Sequence, residues 1–144
     1  MICRAGWSCT ARESSLWVVF SEMPTKEQHL HQAQHNEAYL AAFDLARSPF
    51  LDWAVTAAFY AALHYLRALM SRLNYTNISG YGDMDKAFDR LAILKRNPEI
   101  HDSYRQLKDD SRSARYDMWR PTGGDVVELR DEMTKIRDFV VPNL

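Results

Sequence analysis

Leu51-Asp52-Trp53-Ala54-Val55-Thr56-Ala57-Ala58-Phe59-Tyr60-Ala61-Ala62-Leu63-His64-Tyr65-Leu66-Arg67-Ala68-Leu69 is the stretch that decides the fold of this chain. Trp53, Ala57, Tyr60, His64 and Arg67 fall at helical spacing and share one stripe. Ala54, Ala58, Ala61, Tyr65 and Ala68 form the stripe beside it, and Val55, Phe59, Ala62, Leu66 and Leu69 extend the apolar surface further. A helix apolar over so much of its circumference belongs in the centre of a bundle, with partners on several sides. Its alanines allow those partners to come close. The pattern predicts a helix over 51–73, opened by Asp52, whose carboxylate suits the positive end of the helix dipole.

The flanking segments supply the partners. Thr25 is an N-cap with Gln28 three residues on, so a helix is expected from Lys26. Ala33, Ala38, Leu40, Ala41, Ala42, Leu45 and Ala46 favour its continuation to Arg47, where Ser48-Pro49 would end it. Asn74 to Asp83 reads as a loop, with Ser79, Gly80 and Gly82 as turn residues. A third helix is expected over 84–95, a fourth over 99–119 and a fifth over 125–140, with Gly123-Gly124 read as a helix stop. No stretch alternates as a strand does. The expected architecture is all-α, an up-and-down bundle of four to five helices.

The 144 residues suit a single domain, and a net charge of −1 excludes nucleic-acid binding by bulk charge. Cys3 and Cys9 are too few and too close together for a disulfide framework or a zinc site. No apolar run approaches the ~18–20 residues of a membrane span, so the expected location is the cytoplasm. Residues 1–22 carry no sustained helical period. They are expected to be a non-native or flexible extension ahead of a start at Met23, leaving 23–144 as the bundle.

Two groups of residues carry candidate chemistry. His35 lies fourteen residues before Pro49 and His64 fifteen after, so an antiparallel hairpin turning there places them at equal height. Tyr39 and Tyr60 pair in the same way one turn closer to the loop. His35, Tyr39, Tyr60 and His64 are therefore expected to form a polar network in the core. A metal there is not expected, because the paired Glu-x-x-His pattern of bundle metal sites is missing. Second, Lys108, Arg112 and Arg115 fall at i, i+4 and i+7 and form a basic ridge able to hold a phosphate or an RNA backbone, with Tyr104 and Ser111 beside it. No phosphate loop, nucleophile elbow or Cys–His pair is present. No cofactor is implied.

The run from Asp52 to Tyr65, followed by Tyr104-x-x-Leu107 and by Ser111-Arg112-x-Ala114-Arg115-Tyr116, resembles the HEPN family of small helical domains. The resemblance covers roughly Thr25 to Val140. It implies a homodimer and a link to RNA or nucleotides. Many members are metal-independent ribonucleases, including toxins paired with a nucleotidyltransferase-type antitoxin, with an Arg-x(4–6)-His motif late in the bundle. This chain departs from that motif. Arg112 is followed at the required spacing by Asp117, Met118 and Trp119, and no histidine lies beyond His101. A positioned general acid–base histidine contributes on the order of 10²–10⁴ in rate. The expectation is thus a non-catalytic domain that binds RNA, a nucleotide or a protein partner, as a toxin–antitoxin or defence component. The alternative is a ribonuclease with a degenerate site, for which His64, Arg112 and Tyr116 are the candidate residues.

Overall fold

The computed structural model describes residues 23–76 and 78–144, and the extension expected over 1–22 lies outside the described residues. These form six α-helices and a closing turn of 3-10 helix, without strands among the described residues. They are α1 (Lys26–Ala41), α2 (Leu51–Arg72), α3 (Tyr81–Arg90), α4 (Ala92–Lys95), α5 (Pro98–Tyr116) and α6 (Gly123–Val140), then Val141–Asn143. None is long and apolar enough to cross a membrane.

The central position of α2 follows from its sequence. It packs against α1, α5 and α6. From Ala54 to Met70 every residue is buried except Tyr60, His64 and Arg67. Ala54, Ala58, Ala61, Ala62 and Ala68 are wholly buried. Methyl-sized side chains keep neighbouring backbones close, while Phe59, Leu66 and Leu69 each contribute roughly 1.5–3 kcal/mol by leaving water.

Thr25 caps α1 as its sequence suggests. Gln28 N–H donates to the Thr25 hydroxyl at 3.2 Å, and Thr25 N–H to the Gln28 side chain at 2.8 Å. The helix nevertheless stops at Ala41, six residues before the expected end. Asp44 is the cause. Its carboxylate accepts from Ala46 N–H at 3.0 Å and its carbonyl from Ser48 N–H at 2.8 Å. This local turn outcompetes the helix propensity of Leu45 and Ala46.

The expected third helix is two. Ser79 donates from both its backbone and its hydroxyl to Asp83, at 2.9 and 2.8 Å, which lets α3 begin at Tyr81. Leu91 is extended and divides α3 from α4, an arrangement that buries Leu94.

Gly123 and Gly124 open α6 rather than stopping a helix. Thr122 is the N-cap in a reciprocal capping box with Asp125. Gly123 lies against the α1–α2 connection, and a Cβ there would stand 2.5 Å from the Leu45 carbonyl oxygen. Gly123→Ala is expected to destabilise the fold by about 1–3 kcal/mol, and Ala61→Leu by a similar amount through overpacking. Trp53→Ala, at a residue 53% exposed, is expected to shift the urea midpoint far less. An unchanged midpoint in Gly123→Ala and Ala61→Leu would contradict the close packing described here.

Candidate functional site

The i, i+4, i+7 spacing of Lys108, Arg112 and Arg115 does place them on one face of α5. They line a cleft of about 450 Å³ together with Asp109, Tyr116, Tyr60 of α2 and Tyr81 of α3. The adjacent stripe of Tyr104, Leu107, Ser111 and Ala114 is buried. Tyr104 and Ser111 therefore face the core rather than flank the ridge. Ser111 donates its hydroxyl to the Lys108 carbonyl at 3.0 Å, and the Tyr104 hydroxyl has no partner among the described residues. Burial, then the nearby Asp85 carboxylate, hold the Tyr104 phenol well above its ordinary pKa.

The three cations differ in how they are held. Arg115 donates to the Tyr60 hydroxyl at 2.9 Å. Its guanidinium also lies 5.4 to 5.9 Å from the ring centres of Tyr116, Tyr60 and Phe59. Contacts of this kind hold a cation without neutralising it. Lys108 sits over the Tyr104 ring and 3.6 Å from Asp85, which it shares with His101. Arg112 is exposed and makes no ion pair among the described residues. Tyr81 closes the far side, its phenol pushed up by burial and by the neighbouring Tyr60 hydroxyl. The cleft thus offers two guanidinium groups that make no ion pair among the described residues, walled by three phenols with Asp109 at its edge, an arrangement suited to phosphate and to base stacking.

The expected His35–Tyr39–Tyr60–His64 network does not form. Ala33 and Leu40 set the buried stripe of α1. His35 stands two residues beyond Ala33, about 200° round the helix, and is exposed; Tyr39 is exposed too. With α1 ending at Ala41, the equal-height partner moves toward the chain start. His29 lies twelve residues before the end of α1 and His64 thirteen after the start of α2. Their Nδ1 atoms stand 3.1 Å apart. Tyr60 turns instead to Arg115. Candidates His64 and Tyr116 consequently occupy different clefts, with Tyr116 beside Arg112 and His64 beside His29.

A different polar network links the helices. Tyr65 donates to Glu37 at 2.6 Å, and Arg137 of α6 also bonds Glu37. Glu37 follows the buried stripe of α1, so its inward placement is a signal present in the sequence; its partner on α6 is not. No three His, Cys, Asp or Glu side chains converge as a metal site among the described residues.

His29 and His64 are kept neutral. Burial comes first, followed for His64 by His29 and Arg67, and pushes His64 down to about 4. Burial, then Arg67, also lowers His29. An unfolded imidazole takes its proton near 6.5, so between pH 6.5 and 4 the unfolded chain binds more protons than the folded one. This contribution to stability is full above pH 6.5 and declines as pH falls toward 4. The expected loss is about 2 kcal/mol once solvent screening of this partly open site is allowed for. Urea midpoints measured across that range should fall less steeply in His64→Gln than in the wild type. Parallel curves would show that the pair does not titrate in this way.

No curated protein and no solved structure matches the chain. The family model described as the HEPN domain matches residues 27–144, from the second residue of α1 to the end of the chain. That match spans most of the sequence and the six described helices, and the chain belongs to the HEPN domain family.

Proposed function

We propose that this HEPN domain binds RNA or a nucleotide through the cleft of Tyr60, Tyr81, Arg112, Arg115 and Tyr116, and that it does not cleave what it binds. The observation that carries this reading is the Arg112 guanidinium, exposed and without an ion pair among the described residues, next to Arg115 on its aromatic support. Arg112 is placed to take a phosphate and Arg115 to hold its direction, with Tyr81 and Tyr116 offering faces for a base. No imidazole lines the cleft among the described residues, and histidine is the side chain that most often moves protons in catalysis. This favours binding over the degenerate-ribonuclease reading with His64, Arg112 and Tyr116.

A homodimer accords with this reading. Trp53, Tyr116 and Met118 are 53%, 72% and 80% exposed and share a shallow cleft beside Arg120, an apolar surface suited to a second copy. A nucleotidyltransferase-type protein partner, as in a toxin–antitoxin pair, is the other partner that the family resemblance implies.

Labelled single-stranded RNA, titrated at several salt concentrations, tests the proposal. Arg112→Ala is expected to weaken binding about tenfold or more and to reduce the slope of log affinity against log salt by about one. The RNA should stay intact with wild type. Cleavage lost in Arg112→Ala would establish the ribonuclease instead, and an absence of both binding and cleavage would point to protein contacts. Light scattering on the same samples reads the dimer, which a monomer mass would exclude.

A further inference from the structure

Tyr60, His64 and Arg67 are the only residues between Ala54 and Met70 of α2 that are not buried. They lie at i, i+4 and i+7, hence on one face, and they serve two different clefts. Tyr60 lines the cleft of Arg112 and Arg115, whereas His64 and Arg67 line a second one of about 700 Å³ against the first two turns of α1. Seven residues of helix separate Tyr60 from Arg67, about 10 Å along the axis.

The second cleft has the makings of an anion site. Arg67 forms no ion pair among the described residues, and its buried Nε has no hydrogen-bond partner. The Nδ1–Nδ1 contact of His29 and His64 uses one N–H, so the neutral pair keeps a second N–H to donate. Gln28 and Gln32 line the same cleft from α1. Glu27 also reaches it, but lies 3.5 Å from Lys26, which offsets its charge. A metal cation is disfavoured by the Arg67 charge. A phosphate is favoured by it.

We propose that the His29–His64–Arg67 cleft is a second phosphate subsite, set along α2 from the Arg112–Arg115 cleft, so that the domain takes an extended single-stranded oligonucleotide rather than a mononucleotide. This rests on the nucleotide-binding reading given above. The separation of about 10 Å along α2 is well beyond the roughly 3.4 Å of one stacked step, so a single phosphate does not serve both clefts. Tyr60 lines the Arg112–Arg115 cleft and marks that end of the stretch.

Fluorescence anisotropy with labelled oligouridylates of two, four and six nucleotides tests this in the wild type, Arg67→Ala, His64→Gln and Arg112→Ala. Wild-type affinity is expected to rise about tenfold from the dimer to the tetramer, as one charge-assisted phosphate contact is added, and then to level off. Arg67→Ala should lose that gain while binding the dimer as wild type does, and His64→Gln should lose part of it. Dimer binding, which requires a folded domain, guards against unfolding of the variants. Equal affinity for dimer and tetramer in wild type, or equal losses for both in Arg67→Ala, would overturn the second subsite. The first reading would then stand if Arg112→Ala weakened binding of the dinucleotide by about tenfold or more. Failure of wild type to bind any length would remove both.

Discussion

The close approach that the alanines of α2 permit is the constraint on which the rest of the molecule depends. Because Ala54, Ala58, Ala61, Ala62 and Ala68 present only methyl groups, α1, α5 and α6 can all pack against one helix. The same closeness appears at Gly123, where α6 starts against the Leu45 carbonyl. Enclosure on so many sides leaves α2 one opening, the stripe of Tyr60, His64 and Arg67. Polar groups on a helix so deeply set cannot be spread over its surface. They gather along that opening, and the two clefts take their character from it.

Differences in solvation separate the three cations of α5 that line the cleft. Lys108 is drawn toward Asp85 and the Tyr104 ring, and Arg115 is held by aromatic faces and the Tyr60 hydroxyl. Arg112 has neither kind of support. Fixing Arg115 without neutralising it preserves its field in the cleft, while the exposed Arg112 has no ion pair among the described residues to compete for it. No histidine follows position 101 in the sequence, and the side chains lining the cleft are cations, phenols and Asp109.

Much of this was legible in the residues. The period of α2 announces a buried central helix, Thr25-x-x-Gln28 marks the start of α1, and the spacing of Lys108, Arg112 and Arg115 puts them on one face. What escaped prediction depends on contacts that sequence spacing does not encode. The Asp44 turn shortened α1 by six residues, which exchanged His35 for His29 as the neighbour of His64. The pairing of Tyr60 with Arg115 and the arrival of Tyr81 from α3 join residues far apart in the chain. Gly123-Gly124 looks like a helix stop because glycine is common there; Thr122 and Asp125, four positions read together as a capping box, reveal the start instead.

The most direct test of the central claim, that the aromatic-walled cleft of Arg112 and Arg115 is where an anionic nucleotide ligand sits, is photo-crosslinking. A 4-thiouridine oligonucleotide would be irradiated with the wild-type protein and the adduct mapped by peptide mass spectrometry. The account predicts adducts on Tyr60, Tyr81 or Tyr116. Adducts confined to the outer faces of α5 and α6, or their absence under conditions where the protein is folded and the oligonucleotide in excess, would contradict it.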